Sequence, residues 1–228
     1  MRFLRLRTQV SAIPLMLPAA QALAPDPITD EIAAAPVERG WMQTFSGRKF
    51  YPLHPRPEDV ELADIAHGLA HVCRYGGHPR TFYSVAEHCV HVCDVVGTHA
   101  LNAGHSFEVA RAYAQEALLH DSSEAYIGDM IRPLKHQPEM LEFRKAEAKI
   151  EAAVFERFGI RSTEDSHEVI KAIDNRILVD EITQLMPDPG MYLDGALADE
   201  SPIGITIRGW QPERAKREFL ERFRTLFS

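Results

Sequence analysis

The chain has 228 residues, enough for one ordinary domain with a well-formed core, and 45% are hydrophobic against 25% charged, which excludes a disordered or fibrous protein. Its formal net charge of -8 excludes a broad surface for a nucleic-acid polymer, which needs clustered Lys and Arg, so any substrate phosphate must be held by local charges. The three cysteines, Cys73, Cys89 and Cys93, form no CxxC pair and are odd in number, which fits a reducing, cytoplasmic compartment rather than a disulfide framework; Cys89 and Cys93, four apart in a predicted helix, read as small buried thiols rather than metal ligands.

Met1 to Ala24 carries arginines at positions 2, 5 and 7, then a short apolar stretch broken by Pro14 and Pro18, then small residues at Ala22 and Ala24. It loosely resembles a secretory signal, which would export the protein, but it reads first as an extension or a start placed too far upstream. It is too short and too broken to span a membrane, and nothing later in the sequence reads as transmembrane. Pro25 to Gly40, rich in Pro, Ala and acidic residues, reads as a linker, so residues 1–40 are expected to be a flexible extension and residues 41–228 the domain.

Thr44 to Pro57 places Phe45, Phe50 and Tyr51 among Gly47, Pro52 and Pro55, which predicts a short extended segment or hairpin. Helices follow. Pro57-Glu58-Asp59 ahead of Val60, Ile65, Leu69 and Val72 predicts a helix ending at Gly76-Gly77. Ser84-Val85-Ala86-Glu87 reads as a capping box, with Glu87 reaching back to the cap amide, and starts a helix to about Gly97. Further helices are predicted over about Phe107 to Ser123, Pro138 to Phe158, His167 to Met186 and Pro212 to Phe227, with a loop and one brief strand, Ile203 to Ile207, before the last.

The chemistry lies where metal-ligand residue types interrupt the apolar stripes. Asp121 continues the stripe Ala110, Ala114, Ala117, Leu118, and Asp174 lies between Ile170 and Ile177-Leu178, so both carboxylates point toward the core side. An unpaired buried charge costs several kcal/mol, on the order of the whole stability margin, so something must compensate each. His88 sits at the edge of the stripe Val85, Val92, Val96, and His120 precedes Asp121. Two imidazoles and two carboxylates from three helices suit one divalent cation, with little selectivity among Mn, Co, Mg, Fe, Zn and Ni. Taken singly, each is equally well a hydrogen-bonded histidine or an Arg-paired aspartate.

Taken together, His88, His120-Asp121 and Asp174 on successive helices, with Ser84-Val85-Ala86-Glu87-His88, the run Glu116 to Tyr126 and Asp129, resemble the HD-domain phosphohydrolase superfamily. Within it the likeness, over about Thr44 to Asp180, is to the branch of bacterial and phage 5'-deoxynucleotidases and related deoxynucleoside triphosphatases. The resemblance implies an all-α HD-type helical bundle with a short N-terminal extended segment. It makes His88, His120, Asp121 and Asp174 the protein ligands of one divalent ion, with a bound water, acidified toward pKa ~7, as nucleophile.

It implies further that Glu124, three and four residues past Asp121 and His120 on the same helical face, orients or deprotonates that water or protonates the leaving oxygen. Asp129 is the second catalytic acid, Arg74 grips the substrate phosphate, and Lys135 is a further phosphate contact, alternatively a plain surface lysine. Tyr75, His78, Phe82 and Tyr126 line a base or sugar pocket or simply pack in the core. A rival dinuclear site would use His136 and His167, but His167 is about 10 Å along its helix from Asp174. His91, His99 and His105 are expected to face solvent.

The expected substrate is a small nucleotide, a (deoxy)nucleoside 5'-monophosphate before a triphosphate, for which Arg132, Lys135 and Arg80 would supply the added cations. The other class of reading is a non-catalytic nucleotide sensor, against which Glu124 and Asp129 speak. Neither a polymer nor a membrane is expected as partner, and a homo-oligomer is left open.

Overall fold

The structure, a computed structural model, describes residues 40–193 and 197–228. Of the extension and signal-like segment assigned to residues 1–40, residues 1–39 fall outside the described residues, which begin at Gly40. Two short strands come first, β1 (Met42–Gln43) and β2 (Lys49–Phe50), antiparallel with Met42 opposite Phe50. The hairpin is anchored by Phe50, fully buried and stacked on Tyr126 at 3.7 Å between ring centroids. All else with regular structure among the described residues is helical, as expected of an all-α fold.

The first predicted helix is broken in two. Pro57–Asp59 forms a single 3-10 turn, and α1 (Leu62–His71) stops at an extended Val72 instead of continuing to Gly76. Backbone pairing explains the early stop: Val85 N donates to Val72 O at 3.1 Å, Arg74 N donates to Tyr83 O at 2.9 Å, and Cys73 bridges Ser84. That pairing ties Arg74 to the start of the next helix. The following Arg74–Gly77 turn carries positive φ at Tyr75 (57°), Gly76 (62°) and Gly77 (82°). Gly adopts that conformation freely, whereas Tyr75 is strained in it and must be held by its neighbours.

Helix α2 (Val85–Asn102) begins with half of the predicted capping box. Ser84 Oγ accepts from Glu87 N at 3.2 Å, but the Glu87 carboxylate turns away from the cap. It accepts from the backbone amides of Arg208 (2.7 Å), Gly209 (3.0 Å) and Trp210 (2.5 Å), and so bends the chain into the last helix. Instead of ending near Gly97, α2 runs five residues further to Asn102. A Cβ at Gly97 would meet the Ala114 Cβ at 3.4 Å, so the glycine serves close packing against α3 (Phe107–Leu119) rather than termination. Ala110, Ala114 and Ala117 present the matching small face, and Val85, Val92 and Val96 fill the core, each contributing about 1.5–3 kcal/mol by burial.

Helix α3 does not reach Ser123. His120 to Ser123 form a tight turn in which Glu124 N bonds to Asp121 O (3.0 Å) and Ser122 N to Leu119 O (3.0 Å), before the short α4 (Glu124–Ile127). Then come α5 (Arg132–Lys135), a 3-10 turn Pro138–Met140, and α6 (Leu141–Phe158). Helix α7 (Glu164–Leu185) starts three residues before the expected His167, because Thr163 and Ser166 cap it reciprocally. After α8 (Gly190–Leu193), residues 203–207 run irregularly instead of forming the expected strand, their amides and carbonyls taken by Asp180 and Gln184 side chains. Helix α9 (Pro212–Leu226) closes the bundle with Ala215 and Phe219 buried. No helix of the described residues is long and apolar enough to cross a membrane.

Candidate active site

Helices α2 and α7 and the turn after α3 meet around one atom, His88 Nε2. It lies 3.4 Å from His120 Nε2, 3.5 Å from Asp121 Oδ2 and 3.2 Å from Asp174 Oδ1. His120 Nε2 is 3.2 Å from Asp121 Oδ2, and ligand atoms of His88, His120 and Asp121 all lie within 4.8 Å of one another. The expected quartet is thus brought together, with Asp174 joined through His88.

The donor set fits a divalent cation. Glu181 Oε1 accepts from His88 Nδ1 at 2.7 Å and Ala117 O accepts from His120 Nδ1 at 2.8 Å, which leaves both Nε2 atoms free to face each other. Two lone pairs in that position repel unless a positive charge lies between them. Nitrogens about 2.1 Å from one tetrahedral ion stand about 3.4 Å apart. No second cluster of this kind includes His136 or His167, which are exposed, so the described residues favour a mononuclear centre over the dinuclear rival.

Charge balance in the cluster is tight. Burial pushes the Asp121 carboxyl up, but His120, His88 and Arg74 outweigh it and hold it below the ordinary range. Asp174 is lowered in the same way, against its own burial, by His88, His120 and Arg74. Both imidazoles are raised, since the surrounding carboxylates overcome the cost of burial.

Arg74 Nη1 donates to Asp121 Oδ2 at 3.4 Å and Nε to Glu181 Oε2 at 3.3 Å, so the guanidinium lies against the cluster. Glu124 is buried, with Oε2 lacking any partner, and its pKa is raised well above the usual value by burial, Asp121 and Asp129. It shares a side with Asp121 through a 3-10-like turn in which i and i+3 eclipse, not through the continuous helix expected from sequence. Asp129 Oδ2 accepts from Tyr75 N at 3.2 Å and so supports the strained turn; burial raises its pKa. Lys135 is turned toward Glu147 at 2.8 Å.

The sequence did not single out Glu181. Fully buried in α7, it accepts from His88 Nδ1, Tyr83 Oη (2.8 Å), Tyr75 Oη (2.5 Å) and Arg74 Nε. Its spacing from Asp174, seven residues or two turns, was the available signal. His91 is also corrected: it is half-buried against Glu87 and Trp210, while His99 and His105 are exposed as expected. Tyr126 packs on Phe50, Tyr75 points its hydroxyl at Glu181, Phe82 is half-buried and His78 is exposed. Concavities of about 350 Å³ (Leu53, Pro57, Lys149, Glu156) and 160 Å³ (Met42, Phe45, His67, Tyr126) lie elsewhere; the cluster reaches solvent through Asp121 and Asp174, one-fifth exposed.

A helical bundle whose inner helices converge two histidines and two aspartates in this order is an HD-domain protein, a class of metal-dependent phosphohydrolases. The family model described as 5'-deoxynucleotidase YfbR-like matches residues 64–183, and the chain belongs to that family. It is 33% identical to the uncharacterised protein YfdR of Escherichia coli over 189 residues, covering 82% of this chain and 95% of that protein. It is 32% identical over 197 residues to an uncharacterised protein of Rhodobacter capsulatus, covering 83% and 97%.

Proposed function

We propose that the protein hydrolyses a (deoxy)nucleoside 5'-monophosphate, with one divalent ion held by His88, His120, Asp121 and Asp174. The observation that carries this reading is the convergence of His120, Asp121 and Asp174 on His88 Nε2, within 3.2 to 3.5 Å, so that four donor side chains from three elements meet. When bound, such an ion acidifies a coordinated water toward pKa ~7 and neutralises developing charge on the phosphoryl oxygens. Arg74 grips a phosphate oxygen from the inner side, its planar fork suited to paired acceptors. Glu124, whose pKa burial, Asp121 and Asp129 raise well above the usual carboxylate value, donates a proton to the leaving 5'-oxygen.

Asp129 holds the Tyr75 amide and thereby the Arg74 turn, which supports a role in aiming the arginine alongside its expected role as an acid. A triphosphate would need free cations for two more phosphates. Arg132 instead donates to Asp174 and Asn175, Lys135 pairs with Glu147, and Arg80 donates to Pro187 O, which favours the monophosphate. The test is phosphate release from a panel of nucleoside mono-, di- and triphosphates with Mn, Co or Mg. Orthophosphate from a 5'-monophosphate is expected; triphosphate release would transfer the activity to triphosphohydrolysis, and no release with any pair would leave a nucleotide sensor.

A further inference from the structure

We infer that Glu181 is a positioning residue that couples the metal side of the site to its phosphate side, fixing His88 with one oxygen and Arg74 with the other. The inference rests on the metal site and phosphate contact proposed above and extends them to a residue that touches neither ion nor substrate.

The geometry is specific. Oε1 accepts from His88 Nδ1 (2.7 Å) and Tyr83 Oη (2.8 Å), while Oε2 accepts from Tyr75 Oη (2.5 Å) and Arg74 Nε (3.3 Å). Glu181 and His88 are fully buried, so no water competes for these bonds. A carboxylate only accepts, and its bond to Nδ1 therefore keeps the His88 proton on that nitrogen and leaves the Nε2 lone pair for a cation. The second oxygen sets the tilt of the Arg74 guanidinium, whose Nη1 reaches Asp121, and through Tyr75 it grips the strained turn that carries the arginine. One rigid group thus sets two functional side chains that the chain places fourteen residues apart.

Glu181→Gln separates this from a merely structural role, because the amide keeps the volume and loses the symmetry. If its NH2 faces His88, Nδ1 must accept, the proton moves to Nε2, and coordination is blocked. If its NH2 faces Arg74, two donors oppose each other. Calorimetric titration with Co(II) alone should show affinity lower by about 10- to 100-fold, with a changed visible Co(II) absorption spectrum. The KM for the 5'-monophosphate should rise as well.

Wild-type Co(II) affinity and spectrum together with a wild-type KM in Glu181→Gln, with wild-type protein binding Co(II) and releasing phosphate, would overturn the coupling and leave the proposed function standing. Wild-type protein that binds Co(II) but hydrolyses nothing would sink the nucleotidase reading, and the affinity loss in the variant would still support the coupling. Should Glu181→Gln fail to fold, Tyr83→Phe removes one donor from Oε1 only. It should shift the Co(II) spectrum without raising KM, and an unchanged spectrum would count against the inference.

Discussion

The two sides of the His/Asp cluster are built on opposite terms. On the inner side, where α2 faces α7, His88 and Glu181 are fully buried and Glu181 has both oxygens doubly bonded. On the outer side, in the turn after α3 and in α4, Asp121 is one-fifth exposed and Glu124 has a buried oxygen with no partner at all. A saturated group has nothing left to give a substrate, whereas an unsatisfied buried carboxyl is costly and persists where function requires it. On the proposed function, the inner side holds and the outer side reacts.

If that division is right, removing the outer acid should cost rate and nothing else. Glu124→Ala should lower phosphate release by about 10²- to 10⁴-fold while Co(II) affinity and thermal midpoint stay near wild type. Equal loss of metal would move Glu124 to the holding side. A second buried glutamate gives the converse control. Glu87 satisfies three backbone amides, and Glu87→Ala should destabilise by roughly 3 kcal/mol or more in urea unfolding, with Co(II) affinity retained in the folded protein.

Metal removal sharpens the same contrast. An ion present at 100 times its Kd adds about 2.7 kcal/mol, so a chelator should lower the wild-type melting point and leave that of Asp174→Ala unmoved. Gly68 tests how the outer side is mounted. A Cβ there would lie 2.6 Å from Ala125 O, so Gly68→Ala should push α4 off α1, costing about 1–3 kcal/mol and lowering turnover through Glu124.

The smallest effect concerns Glu151, whose carboxyl burial raises to about 7. Its raised native pKa means the folded state holds a proton that the unfolded chain releases near pH 4.5, so this stabilisation fades as pH rises through 7. In metal-stripped protein, unfolding free energy should fall by on the order of 1 kcal/mol from pH 5 to 7.5, and Glu151→Gln should flatten that slope.

The helices were legible because apolar periodicity fixes which face turns inward, and acids at Asp121 and Asp174 on that face demand compensation; His88, His120, Asp121 and Asp174 were legible as a set through their resemblance to the HD-domain superfamily. What escaped was decided by tertiary partners. No Gly or Pro marks the break at His120, which a turn of i to i-3 bonds creates. Gly97 resembles a helix stop until Ala114 is packed against it. Glu87 fits a capping box, yet three amides some 120 residues away take its carboxylate. Glu181, in the run Leu178-Val179-Asp180-Glu181-Ile182, reads as one of two adjacent acids; its two-turn spacing from Asp174 puts it on the same face, but its four partners come from other parts of the fold.

The most direct test is anomalous diffraction from crystals of the Co(II)-loaded protein. One anomalous peak within bonding distance of His88 Nε2, His120 Nε2 and carboxylate oxygens of both Asp121 and Asp174 is the predicted result. Density that omits Asp174, or an ion seated elsewhere with the two imidazoles still facing each other, would contradict it.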